Sequence, residues 1–322
     1  MKNKITLLII LLAVQVALMF YVYSGKQDLG AYIADEPLLA FQPSGVDTVI
    51  INGPEKQQVL LKKIDGRWRL PEYYDAPVDG AALQSLMDKL AGLKKGLPVA
   101  TTSEAAVRFK VAPEQFERHI VLKQGGKTVA DLFVGTSPTF RKVHVRLSGS
   151  NDIVAVRFAA FDAGINAKDW LDHKMLALQA DKINALSLGS LNLIRKGKSL
   201  VPATLGEGEQ PDERAIKKLV AQVADLRVAS ILGREKEASY GLDKPVLTCS
   251  ITLHSGKKLQ WVFAKPEKEN HYILKTSDRD FFFTVDEQQV KPLLNAERKN
   301  FLQTDAVKEK ATQPGAGGET AQ

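Results

Sequence analysis

The sequence predicts an α+β protein: an N-terminal transmembrane helix, then two tandem repeated modules of antiparallel sheet plus helix. Three observations carry this reading. Residues 5–23 hold no charged side chain. Two amphipathic helical patterns recur, each residue of the second numbered 133 above its counterpart in the first. Around them run alternating apolar segments joined by turn residues such as Asp65-Gly66 and Gly125-Gly126.

Composition admits this architecture and excludes others. The 322 residues are 44% hydrophobic and 25% charged, with a net charge of +7. Such values argue against global disorder, a collagen-like repeat and a polytopic membrane protein. Lys2 and Lys4 precede the apolar start, and the remaining excess of basic residues is too thinly spread for a nucleic-acid footprint, so no nucleic-acid partner is expected. The lone cysteine, Cys249, excludes an intramolecular disulfide framework and a Cys-rich zinc site. It alternates with Leu247, Ile251 and Leu253, which predicts a buried strand position.

The first element is residues 1–23, two lysines followed by an apolar run. At 1.5 Å per residue, residues 5–23 would make a helix of about 28 Å, close to the hydrocarbon thickness of a bilayer. The flanking lysines predict a cytoplasmic N-terminus and a body outside the cytoplasm. A cleaved signal peptide is the competing reading. The run exceeds a normal apolar h-region, and Phe20-Tyr-Val-Tyr23 resembles an interfacial aromatic belt more than a cleavage site. An uncleaved signal anchor is therefore expected, with the lipid bilayer as its partner. Residues 24–43 form a connector whose Tyr32, Ile33, Leu38, Leu39 and Phe41 can pack partly on the body.

Module 1 covers residues 44–178 and module 2 residues 179–302. In the first, Asp79 precedes Leu83, Leu86, Met87, Leu90 and Leu93; in the second, Asp212 precedes Ile216, Leu219, Val220, Val223 and Leu226. This spacing lines one helix face, and each aspartate is placed to cap. Further pairs keep the same order. Phe109-Lys-Val matches Tyr240-Gly-Leu, the run from His119 matches that from Cys249, and Asp169-Trp-Leu matches Asn300-Phe-Leu. Trp68 aligns with Val201 and Trp170 with Phe301, apolar exchanges that suit packing. A short helix is expected near residues 159–171. Residues 303–322 have little to bury and are expected to be disordered.

No hydrolase or metal signature occurs, and no catalytic, cofactor-binding or metal-binding residue is assigned. Gly126-Lys-Thr lacks the first glycine of a phosphate loop, since position 121 is Val121, and reads as a hairpin turn. Ser255-Gly-Lys-Lys258 has serine acyl-enzyme spacing but also sits at a hairpin turn. The five histidines, His119, His144, His173, His254 and His271, are scattered, though folding could unite some. Phe281-Phe282-Phe283 is the interface candidate, because three consecutive apolar residues cannot share one strand face. Either both sheet faces are covered there or one ring serves an interface, with burial between the modules favoured.

Gly66-Arg-Trp-Arg-Leu-Pro71 before the Val78-Asp79 helix start, and Tyr240-Gly-Leu-Asp-Lys-Pro245 before a strand, resemble the domain-of-unknown-function 4340 family over most of residues 44–302. The second module departs from it, with Ser199-Leu-Val-Pro202 in place of the tryptophan strand. The resemblance implies a bacterial inner-membrane protein with a periplasmic body, associated with ABC-2-type permeases, ATPases and a gliding-motility-type auxiliary subunit. It brings no catalytic residues. The leading expectation is a non-enzymatic accessory of an ABC-2-type transport complex, without cofactors. The alternatives are a periplasmic ligand- or glycan-binding module and a cryptic envelope hydrolase.

Overall fold

The computed structural model describes residues 11–19, 36–267 and 269–303. The chain divides into two compact units, Met1–Trp170 and Leu171–Gln322. Residues 171–178, expected in the first module, bond within the second unit: the Leu178 amide donates to Ala224 O at 2.8 Å and the Val228 amide to His173 O at 3.0 Å.

Of the expected anchor over residues 5–23, only 11–19 are described; they form helix α1, with exposed side chains. Among the described residues no helix is long and apolar enough to cross a membrane. The tail beyond residue 303 lies outside the described residues. The end of the connector does pack on the first unit: the Leu38 amide donates to Leu93 O at 2.8 Å, and Leu39 is buried.

The first unit contains strands β1 (Thr48–Asn52), β2 (Gln58–Ile64), β3 (Arg67–Leu70) and β4 (Ala76–Pro77), then helix α2 (Gly80–Ala91) and β5 (Pro98–Ala100). Helix α3 (Ser103–Arg108) and a small hairpin, β6 (Val111–Ala112) with β7 (Gln115–Phe116), follow. Strands β8 (Arg118–Gln124), β9 (Lys127–Val134), β10 (Val143–Leu147) and β11 (Ile153–Val156) complete the sheet, ordered β4-β3-β2-β1-β8-β9-β10-β11-β5. Every pairing is antiparallel. The expected turns are present: Asp65 and Gly66 both take positive φ (50° and 77°), as do Gly125 and Gly126, which suits two-residue hairpins.

The second unit contains β12 (Ile183–Leu188), β13 (Leu191–Lys196), β14 (Ser199–Pro202), α4 (Glu213–Ala224) and β15 (Ser230–Gly233). Then come β16 (Leu247–Leu253), β17 (Lys258–Ala264), β18 (His271–Thr276), β19 (Phe282–Asp286) and α5 (Glu287–Leu294). Its sheet is ordered β14-β13-β12-β16-β17-β18-β19-β15. Matched in chain order, these eight strands follow the same sequence as β3-β2-β1-β8-β9-β10-β11-β5. In both units the helix lies between an early strand at one edge and a short strand at the other.

The two helices form for the reason the spacing predicts. Leu83, Leu86, Met87 and Leu90 are buried on α2, and Ile216, Leu219, Val220 and Val223 on α4. The Asp79 carboxylate accepts from the Ala81 and Ala82 amides at 2.9 and 3.1 Å, and the Asp212 carboxylate from the Arg214 and Ala215 amides, both at 3.0 Å. Each aspartate also donates its own amide, Asp79 to Trp170 O at 2.8 Å and Asp212 to Phe301 O at 2.9 Å. The helix start is thereby tied to the far end of its unit.

Three local expectations are corrected. Residues 159–171 form two 3-10 turns, Ala160–Asp162 and Ala167–Trp170, and no α-helix. Gly164 interrupts them, and the Asn166 amide donates to the Asp169 carboxylate at 3.1 Å, a local bond that competes with helix. Next, Trp68 stands opposite Lys63 as Leu200 stands opposite Arg195, so Leu200 and not Val201 holds the equivalent register place. Last, Cys249 lies opposite Leu188 and Trp261 as Ile120 lies opposite Ile51 and Leu132, one residue away from His119. A one-residue step changes the sheet face, and Cys249 is accordingly on the core side, wholly buried. Burial pushes its thiol up to about 12, so it stays protonated and inert.

The caps give a direct test. Asp79→Ala and Asp212→Ala are each expected to cost about 1 kcal/mol in urea unfolding, with the Asn variants losing much less. Unchanged midpoints for both Ala variants would mean that the caps do not hold these helices.

Candidate functional site

Two phenylalanines of the first unit stand almost wholly in solvent, Phe140 at 84% exposure and Phe161 at 81%. Most apolar side chains of this size are buried in the two units, which makes this pair the feature to explain. Both line one hollow of about 640 Å³, whose wall is Gly135-Thr136-Ser137 and whose floor includes buried Phe158.

Each ring is held out by a rigid support. Phe140 occupies a tight turn between β9 and β10, in which the Lys142 amide donates to Thr139 O at 3.1 Å. The Ser137 hydroxyl closes the turn from below, at 2.9 Å from Thr139 O and 2.6 Å from Lys142 O. Arg141 follows with φ +58°, a conformation that disfavours an ordinary side chain, and its guanidinium lies 5.0 Å from the Phe140 ring centroid. Phe161 is in the 3-10 turn Ala160–Asp162. The Asp162 carboxylate accepts from Lys89 Nζ of α2 at 2.6 Å and from the Ala159 amide at 3.3 Å. Arg118 braces the following turn by donating to Ala163 O at 2.8 Å.

The wall is equally fixed. The Gly135 amide donates to His144 O, the His144 amide to Thr136 O and the Thr136 amide to Phe109 O, each at 2.9 Å. Gly135 is required by close approach: a Cβ there would lie 2.0 Å from Phe109 O and 2.5 Å from Lys110 O. His144 is buried, stacks on Phe109 at 4.1 Å between centroids, and has Nδ1 2.9 Å from the Thr136 hydroxyl. Burial holds its imidazole below the usual histidine range, which favours the neutral ring.

The polar groups around the hollow are turned to internal partners. Ser137 serves its own turn, the Thr136 hydroxyl faces His144, and Glu117 pairs with Lys110 Nζ at 2.6 Å. The outward surface is thus dominated by two aromatic rings and the Arg141 guanidinium.

The residues singled out from sequence fall elsewhere. Phe281, Phe282 and Phe283 are all buried. Phe282 packs on Tyr240 at 5.3 Å and belongs to a core cluster with Ile273; Phe281 meets Phe283 at 5.9 Å and lies beneath the Arg234 guanidinium at 4.6 Å. All these partners belong to the second unit. The histidines take separate structural posts. His119 Nε2 lies 2.8 Å from Asp131 with its ring stacked on Phe133, and His173 Nδ1 lies 2.6 Å from Val228 O. Among the described residues no group of three or more His, Cys, Asp or Glu could hold a metal ion. Gly126-Lys-Thr and Ser255-Gly-Lys-Lys258 are at the β8–β9 and β16–β17 hairpin turns. Sequence reasoning passed over Phe140 and Phe161. The one signal for the first was an apolar residue inside the polar stretch Ser137-Pro-Thr-Phe-Arg-Lys142.

The Tyr240-Gly-Leu-Asp-Lys-Pro245 motif has a clear mechanical role. Tyr240 is buried, Gly241 takes φ +68°, and the Lys244 amide donates to Gly241 O at 3.1 Å, which turns the chain into β16. In the first unit Lys110, with φ +55°, follows Phe109 in the same manner.

Together these features define a two-unit antiparallel α+β protein that displays two exposed phenylalanines on hydrogen-bonded turns. The chain belongs to the family described as Domain of unknown function (DUF4340), whose model matches residues 68–245, more than half of its length. The match begins on the tryptophan strand and ends on the Tyr240–Pro245 turn. No curated protein and no solved structure matches the chain.

Two outcomes follow from the wall of the hollow. Gly135→Ala is expected to lower the melting temperature sharply, because a backbone contact of 2.0 Å must be relieved; an unaltered melt would refute the close approach. His144 is held neutral when folded, so the unfolded chain takes up its proton first on acidification. Its contribution is therefore level above about pH 6.5 and falls below that. The difference in stability between wild type and His144→Gln should change over that acid range and stay constant above it.

Proposed function

We propose that this protein is a non-enzymatic, membrane-anchored interaction protein whose body lies outside the cytoplasm, an accessory of an ABC-2-type transport complex. The observation that carries the interaction reading is the display of Phe140 and Phe161 beside Arg141 on pinned turns. Aromatic residues and arginine are the side chains most enriched at binding hot spots, and rigid presentation lowers the entropy lost on binding. The apolar, charge-free run over residues 5–23 supports the anchor, and Lys2 and Lys4 support its orientation. The common strand order of the two sheets supports a duplicated module. The transport association rests on the family resemblance.

A glycan-binding module would use the same hollow. It would need free polar groups to read hydroxyls, and the hydroxyls of Thr136 and Ser137 and the Glu117 carboxylate already have internal partners. That favours an apolar protein surface as the occupant.

The test is a pull-down of the full-length chain from gently solubilised host membranes, with permease and ATPase subunits identified in the eluate. Wild type should recover them. Phe140→Ser with Phe161→Ser should recover at least tenfold less while melting at the same temperature, since both rings are exposed. Recovery of the wild-type chain without any transporter subunit, or undiminished recovery with the double variant, would overturn the reading.

A further inference from the structure

The second unit contains a hollow of about 550 Å³ between α4 and the edge strand β14. Its floor is apolar, made by Leu200, Ile216 and Val220, all buried. Its rim carries four cations, Arg195, Lys198, Arg214 and Lys217, against two carboxylates, Asp181 and Glu213.

Two differences between the units fall at this hollow. Leu200 stands where the first unit has Trp68, opposite Arg195 as Trp68 is opposite Lys63, and it is much smaller. The helix residues Arg214 and Lys217 stand 133 positions after Ala81 and Gln84. The first places a smaller side chain in the floor, and the second places charges on the rim. Neither is required by the core, since Ile216, Leu219, Val220 and Val223 repeat the buried face of α2.

The two carboxylates offset only part of the rim charge, which leaves an excess of two cations. Arg195 donates to Ile183 O at 2.8 and 2.6 Å, to Lys198 O at 2.9 Å and to Ala180 O at 3.3 Å. Those carbonyls fix its position and take up most of its N–H donors, but they carry no formal charge to offset its own. Among the described residues, Lys198, Arg214 and Lys217 form no ion pair within 4.0 Å. Among the described residues, Asp181 has its ion pair with Lys182, at 3.9 Å. A cationic rim above an apolar floor is complementary to a molecule with an acidic head and a short apolar body.

We propose that this hollow binds an anionic amphiphile, its acidic group held by Lys198, Arg214 and Lys217 and its apolar part laid on Leu200, Ile216 and Val220. The site is independent of Phe140 and Phe161, so it stands or falls separately from the transporter reading. The ligand chemistry could be met by a free amphiphile or by an anionic lipid of the bilayer.

The test titrates the full-length chain, in nanodiscs of neutral phosphatidylcholine, with hexyl phosphate by calorimetry. Empty nanodiscs serve as the blank. Hexyl phosphate should bind saturably, and inorganic phosphate and hexanol each at least tenfold more weakly. Arg214→Glu with Lys217→Glu, both exposed, should weaken hexyl phosphate at least tenfold at an unchanged melting temperature. Leu200→Trp, which restores the side chain of the first unit, should do the same by filling the floor. If Leu200→Trp does not fold, the rim variant decides. No saturable binding to wild type, equal binding by the rim variant, or inorganic phosphate binding as tightly as hexyl phosphate would each overturn the proposal. With phosphatidylglycerol in the nanodiscs, suppression of the hexyl phosphate signal would support a lipid as the source, and its persistence a free amphiphile.

Discussion

The apolar surface of an antiparallel sheet has to be covered, and in each unit a long helix that buries an apolar stripe begins at a single aspartate. Asp79 and Asp212 accept two amides of their own helix while donating one to a carbonyl at the far end of the unit. The side chain fixes where the helix begins, and the backbone fixes what it is anchored to. Twelve helical residues span about 18 Å. The eight steps across a nine-stranded sheet amount to about 38 Å. One helix therefore covers only part of the width, and burial is completed by side chains from irregular segments, such as Leu39, Phe158 and Trp170. A misplaced helix start would expose both the helix stripe and those segments. The tie from Asp79 to Trp170 joins the two parts of that cover.

Much of this was legible in the amino-acid order, because the signals are local. Helical spacing after Asp79 and Asp212 marks α2 and α4, and glycine pairs or Asp-Gly mark the hairpins. Where the signal weakens, so does the reading. Residues 159–171 have helix-compatible composition, but Gly164 and the Asn166–Asp169 bond divert them into 3-10 turns. The partners of Trp68 and Cys249 were each misplaced by one position. In a strand, that is the difference between core and opposite face, and only the ladder of pairings fixes it. Phe140 and Phe161 lay beyond sequence reasoning for a different reason. Their meaning is their exposure, which depends on turns built by Ser137, Asp162 and Lys89. The Phe281–Phe283 run stood out in the sequence, yet Tyr240, Ile273 and Arg234 account for much of its burial.

Three histidines and the cysteine take structural places. His119 bonds Asp131 on the sheet, His144 closes the wall beside Thr136, and His173 reaches Val228 O. Cys249 is sealed among core strands. What remains available to an outside molecule differs between the units. The first presents convex rings whose polar neighbours are satisfied. The second presents a concavity whose floor is apolar and whose rim is charged.

The sheet edges add a consequence of their own. The first sheet ends in β4, two residues containing Pro77, and in β5, three residues containing Pro98. The second ends in β14, four residues closing on Pro202, and in β15, whose pairing with β19 slips between Ile231 and Gly233. Proline withholds an amide from the ladder, and short or bulged strands offer too few aligned groups to template another chain. Each of these edges is therefore a poor template for an added strand, and recognition by strand addition is disfavoured at all four.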